Sequence, residues 1–221
     1  MNELPNVEQS YAVEFVRKAI HLCSLSIPIV YYFISKSTAL SILLPLTLAF
    51  GLSDLVRVYH LPTRNVFHTL FGWLLRNHER NEDSLRLTGA TYVLLSACLF
   101  IWLFPKVIFI AAFSILIISD TLAALVGRRF GRHRFLKKSL EGATAFFLSA
   151  LVVVLLAPKV NGGMGEYVVC AIAALVGALV EAWLIVIDDN LSVPLSVGAT
   201  MWLLYSVFFP AVNVYALDTL H

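Results

Sequence analysis

The feature that most constrains this sequence is a series of long apolar runs separated by short polar segments. Seven runs approach the length of about 20 residues with which a helix crosses the hydrocarbon of a bilayer. They lie at about 19–34, 38–53, 88–104, 106–126, 140–157, 167–187 and 191–209. Hydrophobic residues make up 59% of the chain and charged residues only 14%, which excludes an ordinary soluble protein. Since unbroken apolar runs in lipid must be helical, we predict an all-α polytopic protein with residues 1–221 in a single membrane domain.

The first run is expected to remain in the chain and not to act as a removed signal peptide. Glu3, Glu8 and Glu14 precede it, and it lacks a small-residue cleavage pattern. A secretory signal peptide begins with a positively charged region and ends at small residues. We therefore count the run as a membrane span.

Lysine and arginine are distributed unevenly between the two sides of the predicted bundle. With the N-terminus inside, 13 of the 16 fall in inner segments, and only Lys36, Lys106 and Lys159 fall outside. Positive residues concentrate on the cytoplasmic side of membrane proteins. The pattern predicts a cytoplasmic N-terminus and, because the number of spans is odd, a C-terminus on the outside.

The long inner segment after the second run contains an amphipathic stretch at about 64–76. Its apolar side consists of Val66, Leu70, Phe71, Trp73 and Leu74. The pattern favours a helix lying in the plane of the inner headgroups. A short helix packed against the spans is the alternative.

Two acids, Asp120 and Glu181, lie inside apolar runs. Each is six or seven residues from the inner end of its run, which places it about 10 Å below the inner boundary. Ionisable residues in spans are costly and are therefore candidates for function. The two carboxylates could share a metal ion or face a cationic partner. Packing against Ser, Thr or Arg is the structural alternative for both.

A second candidate group begins the first run. Glu14, Arg17, Lys18 and His21 recur at i, i+3, i+4 and i+7, so they share one face of a helix. An anchor that follows the positive-inside rule would explain Arg17 and Lys18, but it would not explain His21 one turn deeper. We therefore predict a functional role for this face.

Between residues 127 and 142, a turn with six cations leads into the start of a helix. Ser139 can cap that helix, and Glu141 in its first turn suits the helix dipole. These structural roles are sufficient by themselves. The same helix start, preceded by Lys137 and Lys138, is also a ready site for an anion.

Asp188, Asp189 and Asn190 form a polar turn between the last two runs. Two adjacent acids suit Mg²⁺, a hard cation that prefers oxygen ligands. An ordinary turn with a helix cap is an equally good interpretation. The sequence contains no P-loop and no GxGxxG, HExxH or GxSxG motif, so a nucleotide would need a different, membrane-borne site.

Taken together, these segments resemble the CTP-dependent lipid kinases. That family comprises dolichol kinase, phytol kinase and the fungal CTP-using diacylglycerol kinase, and it is distantly related to phosphatidate cytidylyltransferases. The resemblance covers most of the chain and is carried, in order, by EFVRKAIH at 14–21, residues 76–79, LTGATY at 87–92, DTLAALVGRRFG at 120–131, KSLEG at 138–142, Glu181 and DDNLSVPL at 188–195. The chain departs from the large dolichol kinases in having only a compact seven-span core. It also lacks the Ser, Lys-Arg and Lys-Asp signature of cytidylyltransferases.

The resemblance implies phosphoryl transfer from CTP to a membrane lipid alcohol at the cytosolic face, with Mg²⁺ or another divalent cation. The acceptor would be diacylglycerol or an isoprenoid alcohol such as phytol or polyprenol. The implied catalytic acids are Asp120, Glu141 and Asp189, and the implied metal ligands are Asp120, Asp188 and Asp189. The implied nucleotide-binding residues are Arg17, Lys18, His21, Gly127, Arg128, Gly131, Lys138, Ser139, Gly142 and Asn190. Further candidates are Glu79, Thr88, Gly89 and Glu181.

The expected partners are CTP, the lipid alcohol and the membrane, without nucleic acid, and a homodimer is compatible with the sequence. Two other functions stay open at this point. One is synthesis of a CDP-lipid by a cytidylyltransferase. The other is a lipid or proton transporter, which Asp120 and Glu181 inside the spans would suit.

Overall fold

The computed structural model describes residues 7–59, 69, 87–183 and 187–219 of the chain. Over these residues the fold is all-α, apart from one short pair of antiparallel strands, as the sequence predicts. The predicted interfacial helix at 64–76 lies outside the described residues, except for Thr69, and so does Glu79.

The described helices have the following order in the chain. They are α1 (Val7–Cys23), α2 (Ser26–Phe33), α3 (Lys36–Tyr59), α4 (Gly89–Leu103), α5 (Lys106–Phe130), α6 (Leu140–Leu156), α7 (Met164–Trp183) and α8 (Asp189–Phe208). Between α5 and α6 a hairpin pairs β1 (Arg134–Phe135) with β2 (Lys138–Ser139). A 3-10 turn at Ala216–Thr219 follows α8.

Four of the described helices are long and apolar enough to cross a membrane. They are the 22-residue stretch Lys36–Arg57 of α3, the 25 residues of α5, and the 20 residues each of α7 and α8. The helices α4 and α6 are also apolar but shorter, with 15 and 17 residues. By length and composition, the chain therefore has the helices of a membrane protein.

The predicted run at 19–34 is divided between two helices. Helix α1 begins at Val7 and ends at Cys23, and tight bonds from Ser24 N to His21 O (2.9 Å) and from Leu25 N to Leu22 O (3.0 Å) turn the chain. Helix α2 then begins, with Pro28 in its first turn. A proline is tolerated there because the first turn of a helix has no internal acceptor for its N–H.

The centre of the bundle is α5, which packs against α1, α2, α6 and α8. Its residues from Val107 to Phe113 and from Ile115 to Ile117 are buried on every side of the helix. A helix that is apolar all round belongs in a core. Phe109 stacks on Phe113 with ring centroids 5.0 Å apart and meets the edge of Tyr31 at 5.3 Å. This packing fixes the position of Asp120 in the second half of the helix.

Lysine side chains mark the opposite end of the bundle from Asp120. Lys106 begins α5, and its ammonium donates to Ile34 O (3.0 Å). Lys36 begins α3 and donates to Trp102 O (2.8 Å). Asp120 lies fourteen residues after Lys106, about 21 Å further along α5.

Candidate functional site at one end of the bundle

Asp120 and Lys18 form a buried ion pair between α5 and α1. Lys18 donates to Asp120 Oδ2, and the two side chains are only 7% and 9% exposed. The residues are 102 positions apart, so the pair depends on the packing of α1 against α5. His21, one turn further along α1, places Nε2 3.9 Å from the same oxygen. A buried charge is costly unless it is paired, so α1 and α5 together build this ionic centre.

The polar face of α1 extends this centre towards the end of α5. Glu14 Oε2 lies 3.0 Å from an Arg17 guanidinium nitrogen and 3.0 Å from one of Arg128. Glu14, Lys18 and His21 therefore all contact α5 residues, and Arg17 pairs with Glu14. The predicted single polar face of this helix is confirmed.

Lys138 joins two further acids from two further helices. Its Nζ lies 2.5 Å from Glu181 Oε1, near the end of α7, and 3.2 Å from Asp189 Oδ2, at the start of α8. Burial disfavours the charged ammonium, but the carboxylates of Asp189 and Glu181 outweigh burial and hold the pKa of Lys138 above its usual value. The charge of Asp120 acts in the same direction. Lys138 is therefore a cation at neutral pH, and the two ion-pair groups are neighbours.

The hairpin between α5 and α6 places Lys138 at this position. Phe135 and Lys138 pair across it, and Leu136 in the turn has a φ of 51°. The backbone N of Lys137 donates to Ala182 O (3.1 Å) and attaches the hairpin to the last turn of α7. The cationic turn is thus an ordered structure that carries Lys138 to Glu181. We refer to the group Lys18, Asp120, Lys138, Glu181 and Asp189 as the polar cluster.

The glycines of this segment allow close packing. A Cβ on Gly131 would lie 2.2 Å from Gly127 O, and one on Gly142 would lie 3.1 Å from Ala123 O. Ser139 caps α6 by accepting from Gly142 N (3.2 Å), as predicted. Close packing therefore accounts for these residues, and nucleotide contacts at Gly127, Gly131, Ser139 and Gly142 stay predictions.

Glu141 has a partner outside the polar cluster. Its Oε1 lies 2.8 Å from His133 Nδ1 and accepts from His133 N at 3.2 Å. The structure thus pairs Glu141, in the first turn of α6, with His133 just before β1, and does not bring it to Asp120 or Lys138. Its predicted supporting role in catalysis stays untested.

The two adjacent acids before α8 have different partners. Asp188 Oδ1 accepts from Asn190 N (2.9 Å) and from Asn190 Nδ2 (2.7 Å), the pattern of a helix cap. Asp189 reaches Lys138 instead. Of the predicted turn, Asp189 thus belongs to the polar cluster, while Asp188 and Asn190 form the beginning of α8.

Asp54 is a buried acid that the sequence interpretation missed. Its Oδ2 accepts from Thr88 N (2.7 Å), Thr88 Oγ1 (3.0 Å) and Thr91 Oγ1 (2.7 Å). Arg57, one turn later in α3, lies 3.7 Å from its Oδ1. The available signal was an acid directly after the second predicted run, at the same end as the LTGATY segment. Thr88 therefore orders the beginning of α4, which starts at Gly89.

A second missed acid, Glu166, lies at the other end of the bundle. It is buried and accepts from Val160 N and Asn161 N, both at 2.9 Å, and from Tyr205 OH at 3.0 Å. These bonds hold the loop between α6 and α7. Two of these partners lie in an irregular loop and the third, Tyr205, is 39 positions away, so no periodic pattern in the sequence predicts the contacts.

Of the three carboxylates in the polar cluster, Glu181 and Asp189 converge on Lys138, and the cluster is not a preformed metal cage. Within the described part of the chain, no group of three or more His, Cys, Asp and Glu side chains could hold a metal ion. Glu181 Oε2 is buried and has no hydrogen-bond partner among the described residues. Mg²⁺ in phosphate-transfer sites is commonly bound through one or two carboxylates, with substrate phosphates and water completing its shell. The acids present fit that kind of site.

An apolar groove of about 370 Å³ runs between α5 and α6. Ile118, Leu122 and Val126 form one wall, and Leu148 and Val152 form part of the other. The groove reaches the residue before Gly127, close to the end of α5 that carries Arg128. Its size and lining suit a hydrocarbon chain.

Comparisons with known proteins give one relative. A protein of Rickettsia prowazekii (strain Madrid E), described as uncharacterized protein RP860, is 32% identical over 190 residues, which cover 85% of this chain and 93% of the relative. No family model matches the chain. No solved structure matches it.

Proposed function

We propose that this chain, which belongs to the same family as that rickettsial protein, catalyses the CTP-dependent phosphorylation of a membrane lipid alcohol. The support for this proposal comes from the chain's own residues. One observation carries the proposal. Five different elements bring two ammonium groups and three carboxylates together at one end of an apolar bundle. These residues also lie in the segments that resemble the CTP-dependent lipid kinases.

The charges of the polar cluster match the needs of phosphoryl transfer, which depends on positioning and charge neutralisation. Lys18 and Lys138, with Arg17 and Arg128 nearby, would hold the phosphates of CTP. Asp120 and Asp189 would hold the divalent cation, together with Asp188, which precedes Asp189 in the chain. Bound Mg²⁺ would neutralise charge on the phosphates and orient them. Lys138, a cation at neutral pH, would bring its positive charge to the phosphates.

The proposed reaction transfers the γ-phosphoryl group to the lipid hydroxyl. The bond between the γ-phosphorus and the bridging oxygen to the β-phosphate breaks, and CDP leaves with that oxygen. A bond forms between the γ-phosphorus and the lipid oxygen, whose proton is released to an acceptor at the site. The products are CDP and a lipid phosphate.

We further propose that the helices form seven spans, with α4, α6 and the α1–α2 pair completing the set of four long helices. The N-terminus would be cytoplasmic and the C-terminus outside, with the 64–76 helix at the inner surface. The charge asymmetry supports this orientation, since Lys36 and Lys106 lie at the end opposite Asp120. The polar cluster would then face the cytosol, where CTP is available.

The apolar groove supports a lipid acceptor. An isoprenoid alcohol such as phytol or polyprenol, or diacylglycerol, would place a hydrocarbon chain between α5 and α6. Its hydroxyl would then lie at the end of α5 near Arg128. A homodimer is compatible with this arrangement, and the proposed reaction needs no nucleic acid.

The proposal is tested by a nucleotide-by-lipid screen with the purified full chain in detergent. CTP and ATP are offered with Mg²⁺ against phytol, a polyprenol and diacylglycerol, and lipid phosphate is measured. We expect CTP-dependent product with at least one acceptor, and loss of product in Asp120→Asn. The matched control is Asp218→Asn, which should retain turnover, because the Asp218 carboxylate accepts from Lys106 N (3.1 Å) at the far end of the bundle. Normal turnover in Asp120→Asn would show that the assigned site is wrong.

A further inference from the structure

Lys138 occupies a position in which a cation is shared by two carboxylates. Its ammonium lies 2.5 Å from Glu181 Oε1 and 3.2 Å from Asp189 Oδ2. The Glu181 side chain is only 4% exposed, whereas that of Lys138 is 31% exposed. The acids are therefore fixed on two helix ends, while the cation is on a short hairpin at the surface.

Lys138 leaves part of this position unsatisfied. Glu181 Oε2 is buried without a hydrogen-bond partner in the described part of the chain. The same is true of Ser192 Oγ, which lies one turn after Asp189 on α8. Buried polar atoms in native proteins nearly always have partners, so such atoms require an explanation. A ligand that can bind more oxygen atoms than one ammonium group can would give these atoms their partners.

Two carboxylates alone make a weak site for a divalent cation. Mg²⁺ prefers six oxygen ligands and relies on substrate phosphates when few carboxylates are present. In the nucleotide-free protein, the cation would also have to displace Lys138 from both acids. Loss of Lys138 without a replacement would leave Glu181 and Asp189 close together with like charges.

We propose that Glu181 joins Asp189 and Asp120 as a ligand of the divalent cation of the reaction, and that Lys138 fills the position between Glu181 and Asp189 until a nucleoside triphosphate arrives. This inference rests on the proposed function. The incoming cation takes over the two carboxylates, and the Lys138 ammonium transfers to the phosphates. Each charge then exchanges one partner for another, so neither acid is left unpaired. Cation and nucleotide consequently bind together and not separately.

The test is equilibrium binding of Mn²⁺, measured by electron paramagnetic resonance, to the purified full chain with and without CTP. We expect CTP to tighten Mn²⁺ binding to the natural sequence by about tenfold or more, a factor that corresponds to about 1.4 kcal/mol. In Lys138→Met, the nucleotide-free protein should already bind Mn²⁺ about tenfold more tightly than the natural sequence does. Lys137→Met is the matched control, because its exposed side chain is adjacent in sequence, and its nucleotide-free Mn²⁺ affinity should equal that of the natural sequence.

A second variant identifies the ligands. Adding Glu181→Gln to Lys138→Met should abolish the gain in Mn²⁺ affinity. An unchanged or lower nucleotide-free Mn²⁺ affinity in Lys138→Met, in a protein with an unchanged circular dichroism spectrum, would overturn the inference. Should that variant not fold, Glu181→Gln alone decides, because it must weaken the Mn²⁺ binding that CTP promotes.

Failure of this inference can be told apart from failure of the proposed function. If the natural sequence phosphorylates lipid from CTP but Lys138→Met shows no gain in Mn²⁺ affinity, the proposed function stands and the exchange at Lys138 is wrong. If Lys138→Met gains Mn²⁺ affinity but no phosphoryl group passes from CTP to lipid, the cation site stands and the kinase reaction is wrong.

Discussion

The Lys18–Asp120 pair predicts a particular pattern of stability and activity. Both side chains are less than 10% exposed, at 7% and 9%. Removal of one partner of a buried ion pair typically costs about 3–5 kcal/mol, because the other charge stays buried, whereas neutral replacement of both is often tolerated. Asp120→Asn should therefore lower the free energy of unfolding by about 3 kcal/mol, the lower end of that range, since the Asn oxygen can still accept from Lys18.

The double variant separates the structural from the chemical role of the pair. Lys18→Met with Asp120→Asn leaves no unpaired charge and should recover stability to within about 1 kcal/mol of the natural sequence. Its CTP-dependent activity should stay absent, because a phosphate-binding cation and a cation-binding acid are both lost. Stability is measured by denaturant titration in mixed micelles, and activity by formation of lipid phosphate.

Two results would contradict this reasoning. Unchanged stability of Asp120→Asn would mean that the pair is not a buried ionic centre. Recovery of activity together with stability in the double variant would mean that the two residues act only in packing. Asp218→Asn, an equivalent change at the far end of the bundle, gives the baseline.

Three further substitutions test individual contacts through the free energy of unfolding. Asp54→Asn should lower the free energy of unfolding by about 2 kcal/mol, because a carboxylate oxygen that accepts three hydrogen bonds loses its charge. An unchanged free energy of unfolding would refute the contacts of Asp54 with Thr88 and Thr91. Gly131→Ala should lower the free energy of unfolding by about 1–3 kcal/mol, because the new methyl group meets the backbone oxygen of Gly127, which cannot move aside. A stabilised protein would contradict the close packing at Gly131. Glu166→Gln should cost about 2 kcal/mol without changing CTP affinity, since it lies fifteen residues, about 22 Å, from Glu181 along α7. A weaker CTP affinity in that variant would show that the two ends of the bundle are coupled.

Local sequence patterns predict the elements of this fold that depend on near neighbours. The apolar runs identify the helices, the spacing of Glu14, Lys18 and His21 identifies one face, and Ser139 marks the start of α6. Each of these features is decided within one or two helical turns. Such patterns are visible in the sequence because the helix repeat brings residues three and four apart to the same side.

Partners that are distant in the sequence follow no such repeat. Lys138 meets Glu181 across 43 positions, and Asp54 meets Thr88 across 34, and only the packing of the helices brings them together. Hydropathy also cannot reveal the turn at Ser24, because the residues on either side of it are equally apolar. The acids and cations of the site were therefore predictable as candidates, while the pairs they form were not.

A single reaction with doubly labelled CTP distinguishes phosphoryl transfer to the lipid from cytidylyl transfer. The purified chain is incubated with Mg²⁺, the lipid acceptor and CTP that carries distinguishable labels at the α- and γ-phosphates, and the lipid fraction is counted for both. We expect γ-label in the lipid without α-label, and no label in the lipid with Asp120→Asn. Transfer of the α-label would show a cytidylyltransferase instead, and a lipid fraction with neither label would favour a transporter. Either result would contradict the assignment of the polar cluster to phosphoryl transfer.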